Sequence, residues 1–309
     1  MTDINQEEKQ NLRGFIFVIA AAAMWGVSGT AAKFMFNNNV SPFDLVQLRL
    51  AFSFLILFAY LLVADRKSLY VPRRHWPYMA VFGFFGVAAV QFTYLFTISQ
   101  TNVATAIFLQ YLAPAFVLIY GLLRGREKLA VFNGSALVLA LSGGFLIVRG
   151  SMGGGLAVNS WGLASGIASA LSFAFYTVYG KRGLETYKPW TLLTWGFGVG
   201  ALVWGFYKAP WLTLMNYNWQ TWLFFLYIAI FATILPFGFF FKGLNYLSPV
   251  KTGITSTLEP VVAALAAFIC LGEILTSVQI IGCILILAAV ILIQLKTENN
   301  PPEKEAKLY

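Results

Sequence analysis

Thr252-Gly253-Ile254-Thr255-Ser256-Thr257-Leu258-Glu259-Pro260-Val261 lies inside an apolar run, residues 250–271, and places a carboxylate next to a proline. A charged carboxylate near a bilayer centre costs about 2.5–3.5 kcal/mol on insertion scales, so it is rarely there without a role. The proline removes a backbone N–H and clashes with the carbonyl four residues earlier. A carbonyl freed at membrane depth has to meet protein, water or ligand. The stretch therefore predicts a distorted membrane helix beside a cavity.

Four polar residues of this stretch share one helical face. Thr252, Thr255, Ser256 and Glu259 stand at positions i, i+3, i+4 and i+7, which places them on the same side of a helix. We expect this face to look into the cavity rather than toward lipid.

The composition predicts an integral membrane protein. Of the 309 residues, 59% are hydrophobic and 11% are charged, which is about half the charged fraction of a soluble domain. The net charge of +9 does not indicate a nucleic-acid partner, because the basic residues lie between apolar runs. His75 is the single histidine, and Cys270 and Cys283 lie in apolar runs, so we expect neither a metal site nor a cofactor.

Ten apolar runs approach the roughly 20 residues that cross the hydrocarbon core. They are residues 14–34, 45–63, 78–98, 103–122, 129–148, 161–179, 191–206, 221–241, 250–271 and 278–295. The first is too long for the core of a signal peptide, so we interpret it as an uncleaved helix. Residues 1–13 and 296–309 are predicted to be loose cytoplasmic tails, and residues 150–160 a linker.

The distribution of basic residues predicts the orientation of the chain. Ten spans put both termini on one side, and most of the 21 Lys and Arg residues fall on that side. Lys33, Arg149 and Lys208 fall on the other side, and Arg49 falls inside a span. Because cytoplasmic loops carry an excess of Lys and Arg, we expect both termini in the cytoplasm and the protein in the cytoplasmic membrane.

The two halves of the chain repeat one pattern. Gln110-Tyr111-Leu112-Ala113-Pro114 aligns with Ser256-Thr257-Leu258-Glu259-Pro260, which lies 146 residues later. The repeats, residues 14–149 and 161–295, would each contain five helices. An odd number of helices inverts the second repeat in the membrane, and inverted repeats are typical of secondary transporters with a midplane substrate site.

These features resemble the drug/metabolite transporter superfamily, and within it the EamA-like ten-helix exporters. The residues that match this family are Trp25-Gly26, Ser41-Pro42 followed by Arg49, and Leu258-Glu259-Pro260 followed by Gly272-Glu273. The resemblance implies ten helices, a central cavity and transport without ATP. Exporters of amino acids, including aromatic ones, and of other metabolites belong to this group.

The first copy of the repeat departs from the family pattern. Ala113 stands in place of the intramembrane glutamate, and Arg126 replaces the glycine before Glu127. Whatever Glu259 does is therefore done by one half only.

We predict eight residues to bind substrate: Trp25, Gln91, Tyr94, Gln110, Tyr111, Tyr176, Ser256 and Glu259. Glu259 could bind the ammonium group of an amino acid or carry a proton; alternatively it could cap a helix or bond Thr255 and Ser256. The glutamines would orient polar atoms of the solute or only bond other helices. The aromatic residues would form apolar walls, or in the case of Tyr111 an interior aromatic layer.

Three further residues allow more than one reading. Pro114 and Pro260, near the middle of their spans, are either hinges or packed kinks. Arg49 lies little more than one turn inside its span; it could bind substrate, but we expect it instead to reach the outer interface near Asp44.

The sequence thus predicts an all-α membrane carrier that exports a small organic solute, an amino acid or related metabolite, by alternating access. The alternative is a multidrug or cation efflux carrier. A passive channel and a membrane enzyme are weaker hypotheses. The enzyme is disfavoured because the sequence contains neither a G-x-S-x-G nor an H-E-x-x-H motif.

Overall fold

Helices make up the fold of the computed structural model, which describes residues 2–125, 131–151, 159–271 and 274–299. Ten long helical segments follow one another within these ranges, and four of them contain a break or a π-helical turn. They are α1 (Thr2–Asn37), α2 (Pro42–Ala64), α3 (Trp76–Val81, Phe82–Ala88 and Ala89–Gln100), α4 (Val103–Gln110 and Ala113–Leu123), α5 (Val131–Ser151), α6 (Ser160–Leu184), α7 (Pro189–Tyr207), α8 (Trp219–Ala229, Ile230–Ile234 and Leu235–Tyr246), α9 (Pro249–Ser256 and Glu259–Leu271) and α10 (Ser277–Asn299). Short helical turns at Arg66–Leu69, Arg73–His75 and Pro210–Leu214 lie in the connections.

The predicted fold class is confirmed. Eight of the segments are long and apolar enough to span a membrane by themselves, and α7 and α9 complete the ten. The loose tail predicted before α1 is wrong for residues 2–13, which are helical. These residues include several strong helix formers and neither proline nor glycine, so nothing in them stops the helix from extending.

The helices pair in a way that is symmetric between the two halves. Helix α1 packs on α8 and α9, and its counterpart α6 packs on α3 and α4. Helix α2 packs on α7, and α5 packs on α10. Exchanging the two halves leaves this set of pairs unchanged, as expected for a pseudo-twofold arrangement.

Contacts between α2 and α7 show that the halves have opposite orientations. Near the start of α2, the Gln47 amide donates to the carbonyl of Trp204, near the end of α7. Beyond the other end of α2, the carbonyl of Leu69 accepts from the Trp195 indole, in the first half of α7. Equivalent helices of the two halves are therefore antiparallel. The contacts between α5 and α10 show the same antiparallel packing.

Both copies of the third helix contain a π-helical turn. In α3 it covers Phe82–Ala88, and in α8 it covers Ile230–Ile234. Turns of this kind occur frequently at functional sites, because they leave the regular hydrogen-bond ladder and re-aim side chains. Ala232 of the second turn lines the central cavity, and so does Val90, two residues after the first turn.

Candidate functional site

Helices α4 and α9 break at equivalent points. Tyr111 and Leu112 separate the halves of α4, and Thr257 and Leu258 separate the halves of α9. Each second half has its proline, Pro114 or Pro260, at its second position, where the missing N–H costs least. The interruption predicted from the prolines is thus a two-residue turn, in which the N–H groups of Leu112 and Leu258 donate to carbonyls three residues earlier instead of four.

A cavity lies between the two halves at the level of these breaks. The space not filled by atoms, including its mouth, is about 540 Å³. Its wall comes from both halves and consists of Trp25, Ser28, Ala32, Arg49, Val90, Gln91, Tyr94, Leu95, Gln110, Phe173, Ile228, Ala232, Phe237 and Glu259. Five of the eight predicted site residues belong to this wall: Trp25, Gln91, Tyr94, Gln110 and Glu259.

The carboxylate of Glu259 is held by two phenols of the opposite half. The Tyr111 hydroxyl donates to Oε2 over 2.8 Å, and the Tyr94 hydroxyl donates to Oε1 over 3.4 Å. Only 3% of Glu259 is exposed. Because Glu259 begins the second half of α9, the positive end of that helix also favours the charged carboxylate.

The position of Glu259 depends on Gly26 of α1. A Cβ atom at Gly26 would lie 2.7 Å from the backbone oxygen of Glu259 and 2.9 Å from Cβ of Val262. The absence of a side chain lets α1 and α9 approach closely. This contact brings Trp25 and Glu259 to the same cavity, which explains the Trp25-Gly26 pair noted in the sequence.

The expectation that a whole polar face of α9 looks into the cavity holds only for Glu259. The hydroxyls of Thr252, Thr255 and Ser256 are buried and donate to backbone carbonyls three or four residues earlier, at 2.8–2.9 Å. Such local bonds are a common alternative for Ser and Thr inside helices. Ser256 therefore lies behind the cavity wall, where it also interacts with the Tyr111 hydroxyl.

The two predicted glutamines lie on the cavity wall in different states. The Gln110 amide donates to the Ser169 hydroxyl of α6 over 2.9 Å. The Gln91 side chain is 2% exposed, and its Nε2 has no hydrogen-bond partner within the described residues. Gln110 is thus fixed by a neighbouring helix, whereas Gln91 keeps an amide donor beside the cavity.

The interpretation of Arg49 as a residue of the outer interface is wrong. Arg49 is buried in the cavity wall, where Nε donates to the Thr233 hydroxyl and Nη2 to the Ala232 carbonyl, each over 2.5 Å. In a regular helix the Ala232 carbonyl would accept from residue 236, but Pro236 has no N–H to give. Arg49 supplies the donor that the backbone of α8 lacks.

Asp44, the partner expected for Arg49, has other partners. Its carboxylate accepts from the Tyr217 hydroxyl over 2.8 Å and lies 3.5 Å from the Lys208 ammonium. Burial raises the pKa of the Tyr217 phenol, and the hydrogen bond to this carboxylate raises it further. The signal in the sequence for a different role of Arg49 was Pro236, because a proline leaves one helical carbonyl without a donor. The sequence does not indicate which helix provides that donor.

An aromatic layer borders the cavity, and two of its rings, Phe173 and Phe237, belong to the cavity wall. Tyr176 lies in this layer, with ring centroids at 4.9 Å from Phe241, 5.5 Å from Phe82 and 5.7 Å from Phe237. The Trp25 ring meets Phe237 edge-on at 4.9 Å. Trp25 thus lines the cavity, as predicted. Tyr176 was predicted to line it too but does not, since it lies behind the ring of Phe237.

Some residues of the predicted motif fall outside the described residues. These are Arg126, Glu127, Gly272 and Glu273.

Comparison with known proteins decides the family. The EamA-like transporter family matches the chain twice, over residues 12–149 and 160–295. The chain belongs to the EamA-like transporter family. The two EamA matches each cover five of the ten helices, so the protein is a multi-pass membrane protein of a family of transporters.

Curated relatives of this EamA protein span almost its whole length. An uncharacterized inner membrane transporter of Salmonella typhimurium, YicL, is 32% identical over 93% of this chain and 97% of its own length. An uncharacterized transporter of Archaeoglobus fulgidus is 31% identical over 85% of this chain and 91% of its own. The threonine/homoserine exporter RhtA of Escherichia coli is 27% identical over 88% of each chain.

A solved structure shares the fold of the EamA protein. This crystal structure has a TM-score of 0.74 at 19% sequence identity and covers 93% of this chain and 98% of the other. At that identity the likeness concerns the fold alone.

Proposed function

We propose that this protein exports a small organic solute, an amino acid or related metabolite, across the cytoplasmic membrane by alternating access. The observation that carries the proposal is a buried carboxylate, Glu259, in a cavity lined by both inverted halves. Intramembrane ionisable residues in such cavities mark substrate or ion pathways, and transporters with inverted repeats bind solutes between the repeats.

The chemistry of the wall suits a small polar solute. Glu259 would bind an ammonium group of the solute or carry a proton. Gln91 and Gln110 would orient polar atoms, and Trp25 and Tyr94 would contact the less polar part. The name of the relative RhtA, a threonine/homoserine exporter, supports an amino acid as the solute.

The broken helices provide the points at which the halves would move. Pro114 and Pro260 stand beside the breaks of α4 and α9, and a Cβ at Gly253 would lie 3.2 Å from Cγ of Pro114. The two broken helices therefore contact each other close to the cavity. Rocking about these breaks would open the aromatic layer and close the opposite end of the cavity.

The basic residues favour a cytoplasmic location of both termini, and the solute would leave the cell from the opposite side. The inner-membrane description of YicL supports the cytoplasmic membrane as the location. Neither ATP nor a cofactor is needed in this scheme, in which the gradient of the solute or of protons drives transport.

Counterflow in proteoliposomes tests the proposal. Purified protein is reconstituted in vesicles loaded with one amino acid of a panel, and uptake of the same labelled amino acid from outside is followed. A carrier accumulates label transiently above equilibrium, because one gate opens at a time and the internal solute returns outward. Failure of every amino acid and related metabolite to give this overshoot would refute the proposal.

The alternatives give different results in the same vesicles. A cation efflux carrier would exchange permanently charged organic cations and ignore amino acids. A passive channel would let the labelled solute equilibrate without stimulation by internal solute.

A further inference from the structure

The cavity wall contains a buried amide donor that no residue described by the structure accepts. Gln91 projects from α3 into the wall, its exposure is 2%, and its Nε2 has no partner within the described residues. Buried polar groups of native proteins are nearly always paired. An unpaired donor in a cavity wall therefore points to an acceptor that arrives with the ligand.

A second donor group in the same wall is only partly used. The Arg49 guanidinium has five N–H groups, and its recorded bonds go from Nε to Thr233 and from Nη2 to Ala232. No other partner of this guanidinium is recorded in the described part of the chain. Both bonds hold the planar group against α8, which fixes the direction of its remaining donors.

Glu259 supplies the opposite charge in this cavity. The charges of Arg49 and Glu259 interact across it, but their hydrogen bonds go to other groups. Arg49 donates to α8, and Glu259 accepts from Tyr94 and Tyr111. Two opposite charges that share a poorly solvated space without direct bonds suit a ligand that carries both complementary charges.

We propose that Arg49 and Gln91 form a binding site for a carboxylate, so that the transported solute is a zwitterionic amino acid with its ammonium group at Glu259. This inference rests on the proposed transport function and adds to it the class of the solute and two residues that select it. Arginine and amide N–H groups are suitable donors to a carboxylate.

The arrangement also explains what the cavity would reject. A cation without a carboxylate would leave Arg49 uncompensated and would be repelled by it. An anion without an ammonium group would meet Glu259 in the same way. Buried like charges discriminate strongly between ligands of similar size.

Pairs of probes that differ only in the carboxylate test the inference. Each amino acid that gives counterflow is compared with the primary amine obtained by removing its carboxylate, as competitors of labelled exchange in the same vesicles. The variant is Gln91→Met, which keeps the side-chain length and removes the unpaired amide. The matched control is Gln100→Met, the same change on the same helix outside the cavity wall.

We expect the wild type to prefer the amino acid to the amine by about tenfold or more. Gln91→Met should weaken competition by the amino acid about 10- to 100-fold, the range for hydrogen bonds to charged groups. Competition by the amine should not change. Gln100→Met should leave both unchanged. The melting temperature of Gln91→Met should stay near that of the wild type, because Nε2 of the lost amide has no hydrogen-bond partner among the described residues.

Two results would overturn the carboxylate site while sparing the transport function. In the first, the amine competes with labelled exchange as well as the amino acid does in the wild type. In the second, Gln91→Met weakens competition by both probes equally, or by neither. If no amino acid of the panel gives counterflow in the wild type, the transport of amino acids and the carboxylate site fail together.

Discussion

The two charged residues of the cavity, Glu259 and Arg49, come from different halves and have different hydrogen-bond partners. Glu259 occurs in the second half, where the first half has Ala113, and it is held by Tyr94 and Tyr111 of the first half. Arg49 comes from the first half and is held by α8 of the second. Each charge is thus fixed by the half that does not carry it, so relative movement of the halves would change the surroundings of both.

Arg49 should also stabilise the fold, since it satisfies a carbonyl that Pro236 leaves without its helical donor. We expect Arg49→Met to lower the free energy of unfolding by about 1–3 kcal/mol, the cost of a buried unsatisfied group. Adding Pro236→Ala to that variant should recover part of the loss, because the backbone regains an N–H. Thermal denaturation in detergent measures both. Equal loss in the single and double variants would contradict this role.

At this scale the sequence predicted the carboxylate but not its surroundings. Glu259 was found because a charge inside an apolar run is rare. Arg49 was misplaced because its distance from the helix end suggested that it could reach water, while its actual acceptors lie on a helix more than 180 residues away. No local pattern connects the two positions.

At the scale of the elements, α1 and α9 meet at a glycine contact that positions the site. Gly26→Ala would place a methyl group 2.7 Å from the Glu259 backbone oxygen, so the helices have to separate. We expect a loss of transport of tenfold or more, because displacing a binding group by about 1 Å can cost 100-fold. The control is Gly134→Ala in α5, where no atom lies within 4 Å of the added Cβ.

The control should transport normally and be as stable as the wild type or slightly more, since alanine favours a helix over glycine by about 1 kcal/mol. Counterflow rates and thermal denaturation of the two variants give the comparison. Normal transport by Gly26→Ala would show that the close approach is not required.

The breaks in α4 and α9 make a separate prediction about movement. Pro260→Ala restores a backbone N–H four residues after Ser256, so the helix can close across the break. If the break serves as a hinge, the maximal transport rate should fall while the affinity for solute changes little. Pro42→Ala, at the first position of α2, is the matched control, because proline there removes no helical bond. A Pro260→Ala variant with the wild-type rate would make the proline a packed kink.

The breaks could be predicted from sequence, whereas the π-helical turns could not. Each break follows from a proline near the middle of an apolar run. The turns of α3 and α8 depend on how side chains pack across helices, as Gly83 packs on Val199. Nothing in the local pattern of residues 82–88 or 230–234 distinguishes them from an ordinary membrane helix.

At the scale of the whole molecule, the inverted repeat sets the topology. The sequence predicted it from the spacing of two proline motifs and from the odd number of helices in each half. The antiparallel packing of α2 on α7 agrees with it. Which side chains converge on the midplane depends on the pairing of helices across the halves, and this lay beyond the sequence pattern.

Ten spans with this charge distribution predict that both termini lie in the cytoplasm. Fusion of a fluorescent protein that folds only in the cytoplasm should give signal at either terminus, and fusion of a phosphatase that is active only outside should give none. Opposite results at the two termini would mean an odd number of spans. Phosphatase activity at both ends would mean that the whole orientation is reversed.

The central claim is that the carboxylate of Glu259 either binds the transported solute or carries a proton whose movement is coupled to transport. The most direct measurement compares counterflow by Glu259→Gln with that by Glu185→Gln, a control on an exposed carboxylate after α6. We expect Glu259→Gln to lose about 30-fold or more in transport, as for removal of one partner of a buried charge pair, and Glu185→Gln to transport normally. If Glu259→Gln transports every solute of the wild type at the wild-type rate and with the same pH dependence, the claim is wrong.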